Sequence, residues 1–127
     1  MPSQKELWDE LTEIAIENPR YEREAYLFVL NGLNWAFSQM GEKRHLTGEE
    51  FTEFLVAFAR EEFGELADCV LNEWGVYQTR DFGEIVYKLI ESGKMTKEPE
   101  DSISDFDDVL DLDRALNDPD FVPRPLK

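Results

Sequence analysis

The amino-acid sequence predicts a mainly α-helical fold, with one compact domain built as a bundle of about five helices. Two observations support this prediction. Apolar residues recur three and four positions apart through most of residues 3–93, which is the period of one face of a helix. Residues that commonly begin or end helices separate these apolar runs. The chain of 127 residues is also long enough to bury a sizeable core and short enough for one domain.

Five segments carry the helical pattern. They are residues 3–17, 21–40, 47–63, 65–74 and 79–93. Ser3 and Thr47 each precede a glutamate by three residues, Glu6 and Glu50, which is the spacing of a capping box at a helix start. The second segment is apolar over most of its surface, and a helix of that kind usually contacts several neighbours. We therefore predict that it is the central helix.

The fifth segment contains Asp81-Phe82-Gly83, three letters that help to bind magnesium in protein kinases. The glycine-rich loop and the H-R-D segment of a kinase are absent from the chain. Asp81 falls in the first turn of the predicted helix, where the helix dipole favours a carboxylate. Gly83 costs up to about 1 kcal/mol relative to alanine in a helix, so we expect a neighbouring helix to pass close to it. The three residues therefore predict a helix start rather than a metal site.

The chain becomes strongly acidic after the fifth segment. Residues 98–120 contain ten carboxylates and a single base, Arg114. We divide the chain into a helical domain at residues 1–117, with an acidic and less regular stretch at 98–117, and a proline-containing tail at 118–127 that we expect to fray. Two alternatives remain open for the acidic stretch. One is a short β-hairpin, and the other is a short helix capped by Asp111.

Five aspartates form the densest carboxylate cluster, and they are our candidate partner-binding residues. They are Asp105, Asp107, Asp108, Asp111 and Asp113. A calcium site needs six to eight oxygens, but an EF-hand loop would need glycine at the sixth position and glutamate at the twelfth, where Leu110 and Leu116 stand. A docking strip for a basic partner and a solvated acidic edge are the two other interpretations. We predict no metal and no cofactor.

Few other residues of the chain suggest a metal-binding or catalytic site. Glu42 and His45 match E-x-x-H, but a di-iron bundle needs two such motifs and the chain has one histidine. We expect Lys43, Arg44 and His45 to pair with the acidic stretch. Cys69 is the one cysteine, and we predict a packed structural thiol, because a negative field disfavours the reactive thiolate. No complete catalytic constellation is present, and an enzymatic function is left open.

The net charge of −16 restricts the classes of partner. It repels nucleic-acid backbones and anionic lipid, and it attracts basic proteins. We expect a cytoplasmic protein without a membrane span. The fourth and fifth helices, followed by a hairpin, would resemble a winged helix, but the fifth would present an acidic face that opposes DNA. The residues of that face would be Asp81, Glu84, Lys88 and Glu91.

Four segments together carry a resemblance to a known family. They are "EAYLFVLNGLNWA", "RHLTGEEF", "WGVYQTRDFGEIVYKLIESGKMTKEPEDS" and "DFDDVLDLDRAL". In pattern and order the chain, over roughly residues 20–117, resembles a small uncharacterised bacterial protein family known mainly from planctomycetes and verrucomicrobia. The resemblance implies one compact domain. It implies no activity, cofactor or site residue.

These observations lead to one functional prediction and one alternative. We predict a non-catalytic protein-interaction module that docks a basic partner through its acidic C-terminal segment. The alternative is a winged-helix-like regulator that acts by protein contact or by nucleic-acid mimicry.

Overall fold

Residues 3–127 are described by a computed structural model, and they form the mainly α-helical, single-domain bundle that the sequence predicts. The helices are α1 (Gln4–Glu17), α2 (Arg23–Met40), α3 (Gly48–Phe63), α4 (Ala67–Glu73), α5 (Thr79–Glu91) and α6 (Leu112–Leu116). Short 3-10 turns lie at Gly64–Leu66, Ile103–Phe106 and Arg124–Leu126. These described residues contain no β-strand, and none of their helices is long and apolar enough to cross a membrane.

The predicted helix ends agree with the structure at several positions. The Ser3 hydroxyl accepts a hydrogen bond from the Glu6 backbone N–H, which begins α1. Thr47 forms a complete capping box with Glu50 at the start of α3. Gly41 ends α2 with φ of +73°, a conformation that glycine adopts without strain. These signals depend only on neighbouring residues, which explains why the sequence predicts them well.

The central helix is α3 rather than α2. Nine of the 16 residues of α3 are buried, against six of the 18 residues of α2. The reason is that α3 contacts α2, α4, α5, α6 and the three 3-10 turns, so little of its surface remains free. Phe54 on α3 and Ile85 on α5 are fully buried, as their positions in the apolar pattern predict.

The acidic stretch of the chain packs against α5 and α3 without forming a hairpin. Asp111 caps the short helix α6, so the hairpin alternative is wrong and the short-helix alternative is confirmed. Gly83 does have a close neighbour, but it is Phe106 in a 3-10 turn rather than another helix. A Cβ atom on Gly83 would lie 2.8 Å from the Cβ of Phe106, so only glycine fits there without movement.

Thr79 and the C-terminal tail provide two further corrections. Thr79 begins the fifth predicted segment, at the position of a helix cap, but the structure places the cap at Gln78, and the Thr79 hydroxyl instead donates to the Phe106 carbonyl at 2.7 Å. The tail at residues 118–127 does not simply fray. Pro123 is buried, and the Arg124 backbone N–H donates to the Glu53 carboxylate on α3 at 2.9 Å. The tail is therefore tied to the central helix by a polar contact.

Candidate functional site

The five predicted aspartates do not converge on one point. They follow one another along the chain from the Ile103–Phe106 turn, which contains Asp105, to α6, which contains Asp113. Within residues 3–127, no three or more histidine, cysteine, aspartate or glutamate side chains are grouped so that they could hold a metal ion. Each aspartate has its own local environment, and these environments separate structural carboxylates from free ones.

Asp105 and Asp111 use their carboxylates to cap short helices. The Asp105 Oδ2 atom accepts a hydrogen bond from the Ser102 backbone N–H at 2.9 Å. The Asp111 Oδ1 atom accepts one from the Arg114 backbone N–H at 3.2 Å, at the first turn of α6. A carboxylate at a helix start satisfies an otherwise unpaired backbone donor. Both side chains therefore help to fold the acidic stretch.

The other three aspartates are exposed to solvent. Both carboxylate oxygens of Asp107 accept hydrogen bonds from Nη1 of Arg80 on α5, at 2.9 and 3.1 Å. Asp108 and Asp113 make no side-chain hydrogen bond or ion pair with any residue of the described chain. Asp108 also has φ of +49°, a left-handed conformation that aspartate tolerates better than most residues. These two carboxylates are available to a partner.

A groove of about 450 Å³ brings Asp107 and Asp108 together with four other carboxylates. Its lining contains six carboxylates and two cations, Arg124 and Lys127. The carboxylates belong to Glu49, Glu53, Asp107, Asp108, Asp118 and Asp120. Four apolar side chains also line the groove, and we call them its apolar floor: Val109, Leu110, Phe121 and Val122. The groove therefore combines an acidic rim with a surface on which an apolar side chain could rest.

A second groove, of about 850 Å³, continues from the first and shares Leu110, Asp118 and Phe121 with it. Asp111 and Asp113 line this second groove. Four of the five predicted aspartates thus lie on one continuous surface, whereas Asp105 lines neither groove. We call this surface the acidic face, and we define it by the side chains around its apolar floor. They are Glu49, Asp107, Asp108, Asp111, Asp113, Asp118 and Asp120, with Leu110 and Phe121.

Glu49 and Glu53 of α3 also line the first groove, and the sequence analysis did not include them among the candidate residues. Glu53 is buried, and its carboxylate accepts hydrogen bonds from the Arg124 backbone N–H at 2.9 Å and from the Arg124 Nε at 2.5 Å. Glu49 pairs with the same guanidinium at 3.4 Å. One signal was available, because Glu53 lies among the apolar residues of α3 and a buried carboxylate needs a partner. The identity of that partner could not be read from local sequence.

Asp81 is structural, as predicted, but it does not point outward. Its side chain is fully buried and accepts hydrogen bonds from Arg20 at 3.0 Å, from the Tyr21 hydroxyl at 2.6 Å, and from two backbone N–H groups. Those groups belong to Tyr77 and Gln78, at 2.8 and 3.0 Å. Burial raises the pKa of Tyr21, and the hydrogen bond to Asp81 raises it further. The carboxylate therefore fixes the start of α5 against the loop before α2.

Of Lys43, Arg44 and His45, only His45 pairs with the acidic stretch. Its Nε2 lies 3.2 Å from the Asp101 carboxylate. Arg44 instead binds Glu50, which stands closer in the chain. Cys69 is exposed, so the prediction of a packed thiol is wrong, because Cys69 lies on the outer side of α4. The neighbouring charge of Asp68 raises the pKa of the thiol, which favours its unreactive protonated form.

Comparison of the chain with protein-family models, with curated proteins and with solved structures gives no significant match. The resemblance to the bacterial family stays a prediction. The acidic face is therefore interpreted from its own geometry and charge.

Proposed function

We propose that this protein is a non-catalytic interaction module that docks a basic segment of a partner protein on the acidic face. The segment we expect carries lysine or arginine residues on both sides of an apolar side chain. The observation that carries the proposal is the excess of carboxylates around an apolar floor in the first groove.

Electrostatics favours a cationic partner at this surface. Six carboxylates against two cations line the first groove, and Arg124 is already occupied by Glu53 and Glu49. Asp108, Asp113 and Asp120 have no side-chain hydrogen bond or ion pair within residues 3–127. A partner's cations can approach these carboxylates without breaking an internal contact. Charge of this kind mainly accelerates association and selects the partner, and salt weakens it.

The apolar floor supplies a contact that charge alone would not give. Leu110 and Phe121 are partly buried, and Val122 beside them remains 41% exposed. In protein interfaces, a few apolar or aromatic contacts near the centre usually carry most of the binding free energy, with polar groups at the rim. The arrangement therefore supports a partner segment with one apolar anchor between basic residues.

The test selects peptides that bind the protein and then measures their binding to variants that lack particular carboxylates. A library of short peptides, each with several lysine or arginine residues around one leucine or phenylalanine, is selected against the full chain. The affinity of the selected peptides is measured by fluorescence anisotropy. Raising NaCl from about 0.1 M to about 1 M shortens the Debye length from about 10 Å to about 3 Å, so binding should weaken strongly.

Two triple variants, each of which removes three negative charges, separate binding at the acidic face from attraction by the overall negative charge. The variant Asp108→Asn, Asp113→Asn and Asp120→Asn should weaken binding by about tenfold, equivalent to about 1.4 kcal/mol shared by three exposed charges. The control changes Glu6, Glu13 and Glu17 of α1 to glutamine, and none of these lines either groove. Equal losses in both variants would contradict the proposal, as would a selection that yields no basic peptide.

A further inference from the structure

The 3-10 turn at Arg124–Leu126 places a cation of the chain itself on the first groove. The Arg124 Nε donates to one carboxylate oxygen of Glu53 at 2.5 Å, and its Nη2 lies 3.4 Å from the Glu49 carboxylate. The Arg124 backbone N–H donates to the other Glu53 oxygen at 2.9 Å. A guanidinium carries its N–H donors in one plane, so one arginine can bind two carboxylates at once. These two carboxylates of α3 are therefore occupied from within the chain.

The two sides of this contact differ in exposure. The Glu53 side chain is 8% exposed, whereas the Arg124 side chain is 58% exposed. A buried carboxylate that loses its cation is strongly destabilised, whereas an exposed guanidinium that turns away is hydrated at little cost. Glu53 therefore needs a cation, but a cation of another molecule could meet that need in place of Arg124.

Apart from the contacts of Arg124, the segment at residues 124–127 is largely exposed. Pro123, just before it, is buried, but within the segment only the proline is partly buried and the other three residues are exposed. The Leu126 and Lys127 N–H groups each donate to a carbonyl three residues earlier, so these hydrogen bonds stay with the segment when it moves. Moving the segment away from α3 about Pro123 therefore breaks chiefly the contacts of Arg124.

We propose that residues 124–127 act as an autoinhibitory strap over the first groove of the acidic face, an inference that rests on the proposed function. In the free protein, Arg124 occupies the carboxylates of Glu49 and Glu53. A partner that docks on the acidic face displaces Arg124 with an arginine of its own, while its other cations meet exposed aspartates such as Asp108. Lysine is the weaker competitor, because its ammonium is a point charge and cannot copy the planar donors of Arg124.

The affinity of the full chain for a selected basic peptide tests the strap, and Arg124→Gln is the variant that opens it. The peptide is prepared with arginine at every basic position and again with lysine at every one. Because a partner binds only the molecules whose groove is open, the apparent affinity falls with the open fraction. Arg124→Gln should therefore bind the arginine peptide at least about fivefold more tightly than the unaltered protein does. It should also prefer the arginine peptide over the lysine peptide by at least about threefold.

Lys88→Gln is the matched control for the change in net charge. It removes the same charge from a side chain that pairs with Glu91 and lines neither groove. Its affinity for the arginine peptide should rise by less than about twofold, because an exposed charge away from the groove contributes little.

A second measurement, on the unaltered protein, does not depend on how well a variant folds. As the arginine peptide saturates the amide shifts of residues 107–122, the Arg124 Nε–H signal and the amides of residues 124–127 should move toward the positions of a free chain. If those shifts saturate while the strap signals stay in place, or if folded Arg124→Gln gains no more affinity than Lys88→Gln, the strap is refuted and the proposed function stands. If no basic peptide binds either protein, the strap and the proposed function are both refuted.

Discussion

Replacing Asp81 by asparagine should destabilise the protein far more than the same change at Asp107. Both aspartates pair with an arginine, so the two substitutions remove the same charge from the same type of contact. They differ in burial. Asp81 is fully buried, whereas the side chains of Asp107 and Arg80 are 41% and 39% exposed. The comparison therefore measures what burial and the additional hydrogen bonds of Asp81 contribute to stability.

The magnitude follows from the hydrogen bonds of Asp81. Its Oδ1 accepts from Arg20 and Tyr21, and its Oδ2 accepts from the backbone N–H groups of Tyr77 and Gln78. An asparagine has only one acceptor oxygen. Whichever way the amide is turned, its NH2 group therefore faces two hydrogen-bond donors. Each unpaired buried donor costs about 1–3 kcal/mol, and Arg20 can turn to water because it is 57% exposed. We expect a loss of about 2–4 kcal/mol in the free energy of unfolding.

The assay is urea unfolding followed by tryptophan fluorescence, which the three tryptophans of the chain make practicable. Asp107→Asn should cost about 0–1 kcal/mol, because exposed ion pairs contribute little. If Asp81→Asn costs less than about 0.5 kcal/mol, or no more than Asp107→Asn, the structural role of the buried carboxylate is refuted.

Three further substitutions test other regions of the fold. Phe54→Ala should cost about 3–5 kcal/mol through a cavity in α3, and a loss below about 0.5 kcal/mol in urea unfolding would show that Phe54 is not in the core. Gly83→Ala should lower the melting temperature and increase hydrogen exchange at residues 103–106, because the new Cβ overlaps Phe106 and overpacking costs about 1–3 kcal/mol. If the substitution instead raises the free energy of unfolding by about 1 kcal/mol, as alanine does at an unobstructed helix site, Phe106 does not pack against Gly83. Asp68→Asn should lower the pKa of Cys69 and speed alkylation by iodoacetamide near pH 8 at least about twofold, whereas an unchanged rate would exclude the influence of Asp68.

Helix positions could be predicted from the sequence because their causes are local. The Thr47 capping box involves residues three positions apart, and the Gly41 stop depends on one residue. Phe54 and Ile85 likewise occupy apolar positions of the helical repeat, and both are fully buried. The ranking of α3 above α2 was missed, because it depends on how many other segments pack on each helix.

The site could be predicted only partially because its geometry depends on distant residues. The burial of Asp81 follows from contacts with Arg20 and Tyr21, about sixty positions earlier in the chain. The density of aspartates pointed to residues 105–113, but density does not separate the capping carboxylate of Asp105 from the free one of Asp108. The contribution of α3 to the acidic face also arises only when the tail folds onto it.

The most direct test of the central claim is an amide chemical-shift titration of the full chain with a selected basic peptide. Docking on the acidic face predicts saturable shifts concentrated at residues 107–122 and at Glu49, with little change in α1. Shifts spread over the acidic side chains of all helices would show non-specific attraction by the net charge of −16 and would contradict the account.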